Sequence, residues 1–275
     1  PGEGGIVSRT RRYFVLSLIL LLALPLLACD PGVVTAWGDL GATARVLWAG
    51  IWAKPEPDYC GISILCSQEL LAAHEVCPEL AVVIGGGNIM RGAAVHPRGE
   101  ARIRVDYAGM VATVVNALVL HDSLTRLGAP SRVYSALPVP PLAPPFDEEA
   151  CRADLVQNRL VILAGGTGNP LFTTDTAAAL RAVQIGAMAL LKATRVDGVF
   201  SGDPESDADV QFLPRLSYGE VLERRLGVMD LCAVSLCMEH ELPVHVFNYQ
   251  RRGNIARVLA GESAGTIIWK QDNGH

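Results

Sequence analysis

The segment Ala164–Asp175 is the part of the sequence that most constrains the fold. It follows the apolar run Leu160–Leu163 and precedes the helical pattern Thr176–Ile185, so we predict a buried strand that ends in a loop and then enters a helix. Three glycines allow backbone N–H groups to approach a ligand, and Thr173 and Thr174 add hydroxyl groups near a helix N-terminus, which favours an anion. The structural alternative is a tight turn that a threonine or aspartate caps.

A second glycine cluster, Gly85–Asn88, follows another apolar run, Leu80–Ile84. Two such loops at the strand ends of one α/β sheet predict a ligand rich in phosphate. Neither loop has the Gly-x4-Gly-Lys-Ser/Thr pattern of a P-loop or the Gly-x-Gly-x-x-Gly pattern of a dinucleotide fold. The sequence therefore predicts a phosphate site outside those two common classes.

Composition limits the class of partner. The 275 residues are 50% hydrophobic and 19% charged, which is ordinary for a globular α/β protein, and the formal net charge is -5. Non-specific nucleic-acid binding needs clustered lysine and arginine, so we expect no nucleic-acid partner. The seven cysteines contain no Cys-x-x-Cys pair, and a chain of this length needs no disulfide staples. We therefore expect reduced cysteines and no protein-bound metal site.

Residues 1–44 are a candidate N-terminal extension, and residues 45–275 are the predicted domain. Arginines between residues 9 and 12 precede the apolar block Tyr13–Ala28, and Cys29 follows it, which is typical of a lipoprotein signal peptide. The block is shorter than the roughly 20 residues that a spanning helix needs. The alternative is upstream sequence wrongly joined to a cytosolic gene. A membrane location, through an anchor at Cys29, is expected only if this segment is a genuine signal.

From residue 45 onward, strand-like and helical patterns alternate. The predicted strands are Arg45–Trp52, Leu80–Ile84, Ser131–Ala136, Leu160–Leu163, Leu190–Ala193, Pro243–Asn248 and Gly265–Ile268. The predicted helices are Ile62–Val76, Tyr107–Leu127, Phe146–Leu155, Thr176–Ile185, one that Asp230 opens, and Ile255–Leu259. This alternation predicts an α/β fold with a mostly parallel sheet covered on both faces.

Four side chains, near the glycine loops or in the polar loop 194–204, have chemistry suited to binding a nucleotide. Arg91 lies four residues beyond Gly87, within reach of a phosphate, and is otherwise a surface arginine. Asp106 is predicted either to accept hydrogen bonds from ribose hydroxyls or to cap the helix that follows it. In the polar loop 194–204, Phe200 is a candidate to pack on a base and Asp203 a candidate ligand for ribose or metal.

Several sequence motifs, taken together, resemble those of the amino acid kinase family, and within it those of the bacterial uridylate kinases. The motifs occur in family order at Val83–Gly92, Asp106–Leu118, Gly165–Arg181, Leu191–Phe200 and Val228–Leu231. The resemblance implies an α/β/α sandwich that transfers the γ-phosphate of ATP to UMP in pyrimidine nucleotide biosynthesis, with Mg²⁺ accompanying ATP. It also implies a cytoplasmic homohexamer with GTP as an activating effector.

The resemblance assigns site residues by motif. The implied UMP-binding residues are Gly86, Asp106, Thr167, Gly168, Asn169, Pro170, Leu171, Phe172, Thr173 and Thr174. The implied ATP-binding residues are Gly87, Arg91, Thr194, Phe200 and Asp203. The residues implied to organise phosphoryl transfer are Asp175, Lys192, Arg91 and Asp230.

The chain departs from the family at its first strand. That strand normally runs into Lys-Leu-Ser-Gly-Glu, whose lysine contacts the transferring phosphate, whereas residues 49–53 here contain none of these side chains at the matching places. Lys54 is the lysine nearby, and Pro55 and Pro57 disfavour an equivalent loop. We therefore expect slow turnover. The alternatives are a catalytically impaired nucleotide-binding paralogue and an exported lipoprotein that uses the fold as a binding module.

Overall fold

The computed structural model describes residues 13–18, 57–90, 99–202 and 209–270. Its strands are β1 (Tyr13–Leu18), β2 (Leu80–Ile84), β3 (Ser131–Ser135), β4 (Leu160–Ala164), β5 (Ala187–Thr194), β6 (Val199–Phe200), β7 (Phe212–Leu213), β8 (Arg215–Ser217), β9 (Val244–Asn248) and β10 (Thr266–Trp269). Its helices are α1 (Pro57–Val76), α2 (Glu100–Arg126), α3 (Glu148–Val156), α4 (Thr174–Ile185), α5 (Tyr218–Glu223), α6 (Leu231–Glu239) and α7 (Asn254–Leu259).

Eight of these strands form one sheet in the order β3-β4-β2-β1-β5-β9-β10-β8. Among the described strands of this sheet, β9 and β10 pair antiparallel and every other pairing is parallel. β2 and β4 are buried along their whole length, which explains why both read as continuous apolar runs instead of alternating ones. The predicted α/β class with a mostly parallel sheet is confirmed.

Two cores lie on opposite faces of the sheet, because successive side chains of a strand point to opposite sides. On one face Ala81 and Val83 of β2 pack with apolar residues of α3, α4, α5 and α6. On the other face Leu80 and Val82 pack with α1, α2 and α7. The result is the predicted three-layer α/β/α sandwich.

The first strand lies within the segment that was predicted to be an N-terminal extension. β1 is Tyr13–Leu18, and it lies in the middle of the sheet between β2 and β5. These six residues belong to the segment assigned above to an N-terminal extension, because a short apolar run matches a signal-peptide core and a buried strand equally well. The predicted strand Arg45–Trp52 lies outside the described residues, so the rest of that boundary stays a prediction.

Helix α2 begins earlier than predicted. It starts at Glu100 after Gly99, whose φ of 83° interrupts regular backbone, and it runs for 27 residues. Asp106 therefore lies in the second turn, so the reading of Asp106 as a helix cap is wrong. By length and composition α2 could cross a membrane. Its buried residues, among them Val114 and Leu124, pack on the sheet, which accounts for its apolar character.

Candidate active site

The glycine loops meet at one edge of the sheet. β2, β4 and β5 run in the same direction, with Val83 in register with Leu163, and Leu18 of β1 in register with both Ile84 and Ala193. The loops that follow β2, β4 and β5 therefore leave the same carboxyl edge, where ligands bind in open α/β sheets. The glycines Gly86 and Gly87 and the segment Thr167–Thr173 lie in the loops that leave this edge.

The loop between β4 and α4 needs its glycines for backbone geometry. Gly165, Gly166 and Gly168 have φ values of 77°, 59° and 84°, in the left-handed region that a side chain disfavours. A Cβ on Gly165 would also lie 2.6 Å from the Ser135 hydroxyl. Leu171 adopts a φ of 73° without being glycine, and such strain persists only where the surroundings hold it.

Asp106 holds that strained residue. One carboxylate oxygen accepts the Leu171 backbone N–H at 2.9 Å, and the other accepts Arg102 Nε at 2.6 Å. The Asp106 side chain is 11% exposed, and both bonds are charge-assisted because its carboxylate is the acceptor. The structure thus brings Asp106 to the loop Thr167–Thr174, 65 residues further along the chain.

Thr173 is the N-cap of α4. Its hydroxyl oxygen accepts the backbone N–H groups of Asp175 and Thr176, so the capping reading of this segment is confirmed. Within the preceding loop, the Thr167 hydroxyl bonds the backbone of Asn169 at 3.1 Å. Leu171 is more than half exposed and Phe172 is half exposed. Both side chains therefore border the carboxyl edge of the sheet instead of packing in the core.

Asp175 and Lys192 form a buried ion pair at this edge. Lys192 Nζ, on β5, lies 2.5 Å from Asp175 Oδ1, in the first turn of α4, and their side chains are 6% and 11% exposed. Removing either partner would leave a buried charge, which is strongly destabilising. The pair places a cation next to the central strand β1, since Lys192 is in register with Ser17.

Asp230 joins two helices. It caps α6 by accepting the Ala233 backbone N–H at 3.0 Å, and it also accepts the hydroxyl groups of Thr173 and Thr176. Burial raises the pKa of Asp230, but these hydrogen bonds from threonine hydroxyls and backbone outweigh burial and hold that pKa below its usual value. Asp230 thus ties the start of α6 to the start of α4.

The two glycines assigned to different ligands differ in exposure. Gly86 is buried, and a Cβ there would lie 2.5 Å from the Gly109 carbonyl oxygen of α2. Gly87 is exposed. Gly86 is therefore required for close packing of the loop on the helix, whereas the backbone of Gly87 faces outward.

Two of the residues predicted to bind ATP, Thr194 and Phe200, flank the loop that follows β5. Thr194 donates its hydroxyl to the Val196 carbonyl at 2.8 Å, and Phe200 packs edge-to-face on Phe212 at 5.5 Å between ring centroids. Asp197 of this loop accepts Asn248 Nδ2 at 3.0 Å. Arg251 also pairs with Asp197, at 2.5 Å. The candidates Arg91 and Asp203 lie outside the described residues.

The sequence did not point to two residues that hydrogen-bond the loops after β2 and β4. Thr113 and Asn116 of α2 are 5% and 6% exposed, and they hydrogen-bond Gly165 and Gly85, respectively. The signal available was two polar residues on the inward stripe of an apolar helix.

A separate cavity of about 190 Å³ lies beside the edge strand β3. It is lined in part by His121 and Arg132, and it includes none of the predicted site residues.

Comparison with known proteins identifies the family of this chain. The family described as "Amino acid kinase family" matches residues 66–248. The uridylate kinase of Rubrobacter xylanophilus is 46% identical over 206 residues, which cover 74% of this chain and 81% of that protein. The chain belongs to the amino acid kinase family.

Solved structures of the family share the architecture. The UMP kinase from Bacillus anthracis superposes with a TM-score of 0.75 at 29% identity, covering 96% of this chain and 98% of that one. The UMP kinase from Ureaplasma parvum gives a TM-score of 0.69, also at 29% identity, over 76% of this chain and 88% of the other. The family fold therefore extends over most of the described residues.

Proposed function

We propose that this chain transfers the γ-phosphate of ATP to UMP, giving ADP and UDP. The observation that carries the proposal is the meeting, at one sheet edge, of two glycine loops, Asp106 and the Asp175–Lys192 pair. The 46% identity to a uridylate kinase supports UMP as the acceptor.

The site needs to position the two nucleotides and to neutralise the negative charge of their phosphates. An oxygen of the UMP phosphate attacks the γ-phosphorus of ATP, and the bond from that phosphorus to the β–γ bridging oxygen breaks, leaving ADP. The negative charge spreads over the transferring group, so fixed cations and backbone N–H groups lower the barrier. In this proposal Lys192 meets that charge, Asp175 orients Lys192, and Asp230 fixes the helix that carries Asp175.

UMP and ATP occupy different loops in this proposal. UMP lies on Asp106 and the loop Thr167–Thr174, whose N–H groups and hydroxyls border the edge. ATP lies over Gly87 and the loop from Thr194 to Phe200, and we retain Arg91 and Asp203 as its candidates. Gly86 supports UMP indirectly, since it is buried against α2.

The described residues fit a Mg²⁺ ion that arrives with the nucleotide. No group of three metal-ligating side chains occurs among the residues that the structure describes. Asp175 is already paired with Lys192. Mg²⁺ is commonly held by phosphates and one or two carboxylates instead of an all-protein cage. When bound, it would neutralise negative charge on the nucleotide phosphates.

Helix α2 supports a homo-oligomer. Ile103, Tyr107, Val111 and Val115 recur every fourth residue on its outer face and are 38–50% exposed. An apolar stripe of this kind is typical of an interface. We propose that the chain self-associates through it, and the hexamer, the GTP effector and the cytoplasmic location stay proposals from the family resemblance. Sedimentation velocity gives the mass of the assembly.

A catalytically impaired, nucleotide-binding protein is the second candidate function. It is favoured by β1, since neither Tyr13–Leu18 nor the four residues after it include a lysine. The exported lipoprotein is not favoured, because cleavage before Cys29 would remove a central strand of the sheet.

One assay separates these candidates. The purified chain is incubated with ATP, Mg²⁺ and UMP, UDP is quantified, and binding of UMP is measured by calorimetry. We expect UDP at a low rate together with ordinary UMP binding. Binding without any UDP would support the impaired protein, and the absence of both binding and UDP would refute the proposed function.

A further inference from the structure

Helix α2 contacts both glycine loops through two adjacent turns. Thr113 reaches Gly165, 52 residues along the chain, and Asn116 reaches Gly85, 31 residues back. At 100° per residue these two positions lie about 60° apart around the helix, and Asp106 lies about 20° from Thr113. Three polar side chains on one face of a rigid element thus hold the two loops that follow β2 and β4.

The hydrogen bond from Gly165 has a fixed direction. The Thr113 hydroxyl donates its proton to the Met110 carbonyl at 2.6 Å, so its oxygen is left to accept the Gly165 N–H, which lies 2.7 Å away. Gly165 is the first residue after β4, in the same loop as the residues from Thr167 onward that are proposed to bind UMP. Because the bond is buried, loss of the hydroxyl would leave the Gly165 N–H without this partner.

Asn116 holds the other loop with its amide group. Its Nδ2 donates to the Gly85 carbonyl at 2.7 Å and to Asn88 Oδ1 at 2.7 Å, and its Oδ1 accepts Asn88 Nδ2 at 3.3 Å. These bonds bracket Gly86 and Gly87. The close approach of Gly86 to the Gly109 carbonyl leaves the loop little freedom to move on the helix.

We propose that Thr113 and Asn116 are positioning residues for the reaction, and that α2 sets the distance between the acceptor loop and the loop that faces the nucleotide. Neither side chain contacts a substrate in this proposal. Thr113 acts on the UMP loop alone, whereas Asn116 acts on a loop with candidates for both substrates. The inference rests on the proposed function for its substrates, but its hydrogen bonds do not depend on it.

The test compares Thr113→Val with Thr125→Val in the full chain. Thr125 is on the same helix, and its hydroxyl donates to the His121 carbonyl at 2.8 Å without reaching a loop. We expect Thr113→Val to raise the KM for UMP about tenfold, the scale of one buried hydrogen bond, with the KM for ATP unchanged. Thr113→Ser should restore the KM, because serine keeps the hydroxyl, and Thr125→Val should change neither KM.

Asn116→Ala provides an independent arm, and it decides the matter if Thr113→Val does not fold. We expect it to raise the KM for both substrates. Hydrogen-exchange mass spectrometry without substrates gives a readout apart from activity: the peptide containing Gly165 should exchange about tenfold faster in Thr113→Val and normally in Thr125→Val.

Unchanged KM values and unchanged exchange in both Thr113→Val and Asn116→Ala would overturn the inference, as would equal effects of Thr113→Val and Thr125→Val. If the unaltered chain neither binds UMP nor makes UDP, the proposed function fails, and the exchange comparison alone then decides whether α2 positions the loops.

Discussion

The two sides of the site are held by different kinds of interaction. On the acceptor side, the loop after β4 is tied to α2 by Thr113, which is almost fully buried. On the nucleotide side, the loop after β5 is tied by Asp197 to Arg251, and these side chains are 44% and 64% exposed. Buried neutral hydrogen bonds are insensitive to salt, whereas an exposed ion pair is weak and screened.

From this difference we predict that the loop after β4 is preorganised and that the loop after β5 adapts when a nucleotide binds. A preorganised loop loses little conformational entropy when it binds a ligand. We therefore expect UMP affinity to depend on single buried side chains, and ATP affinity to respond mildly to changes at the exposed pair and to ionic strength.

The largest expected effect concerns the strand between the two sides. Replacing residues 17–21 with Lys-Leu-Ser-Gly-Glu places the lysine at position 17, in register with Lys192 on β5. A fixed cation that meets developing charge is worth on the order of 10²–10³ in rate, so we expect kcat to rise by that factor with little change in KM. Steady-state kinetics measures the gain.

The matched variant carries the same five residues at positions 49–53. Because β1 is Tyr13–Leu18, we expect no gain from it. A gain from the graft at 49–53 alone would show that the segment near Arg45–Trp52 supplies the strand. Full activity in the unaltered chain would show that another cation replaces the lysine.

The second-largest expected effect is a loss of UMP affinity when Asp106, on the acceptor side, is replaced. Asp106→Ala removes the acceptor of the Leu171 N–H and the proposed partner of the ribose, so UMP affinity should fall by about 1–3 kcal/mol while ATP affinity holds. Calorimetry measures both. Asp122→Ala is the control, since Asp122 makes an exposed pair with Arg126 on the same helix. Unchanged UMP affinity in a folded Asp106→Ala protein would remove Asp106 from the site.

The third effect is a change in acid stability at Asp230. The pKa of Asp230 is lower in the folded protein than its usual value. Its stabilisation is therefore complete above the unfolded value of about 3.9 and is lost as the pH falls through the lower folded value. Asp230→Asn should lower the Tm at neutral pH and flatten the decline of Tm below pH 4. An acid decline identical to that of the unaltered chain would contradict this role.

The smallest effect is expected on the nucleotide side. Arg251→Ala removes an exposed ion pair worth about 0.2–1 kcal/mol, so the KM for ATP should rise by no more than about fivefold at low salt, and the difference should vanish at high salt. The KM for UMP should not change. Lys270→Ala is the control, because Lys270 pairs with the exposed Glu241. A larger, salt-independent rise would mean that Arg251 contacts ATP directly.

Local sequence was enough to find the elements that carry the site. Leu80–Ile84 and Leu160–Ala164 are apolar along their length because both faces of a parallel strand are buried. The Thr173 cap and the Asp230 cap are likewise local, since each side chain bonds N–H groups two or three residues away. The family resemblance then linked these elements to one chemistry.

Local sequence could not decide which apolar run becomes the central strand. Tyr13–Ala28 satisfies the pattern of a signal peptide and that of a buried strand, and Arg45–Trp52 is a second strand pattern. The choice depends on pairing with β2 and β5, which lie more than 60 and 160 residues away. Helix α2 similarly begins before its predicted start. Asp106 therefore does not cap the helix, and its carboxylate accepts the Leu171 N–H instead.

The sequence by itself determined the glycine loops, the strands that precede them and the residue types that a phosphate ligand requires, because these depend on neighbours within a few residues. Only the tertiary structure decided that Thr113, Asn116 and Asp106 hold those loops from one helix face, and that Lys192 pairs with Asp175. Those bonds join residues from 17 to 65 positions apart, and packing on the sheet brings them together.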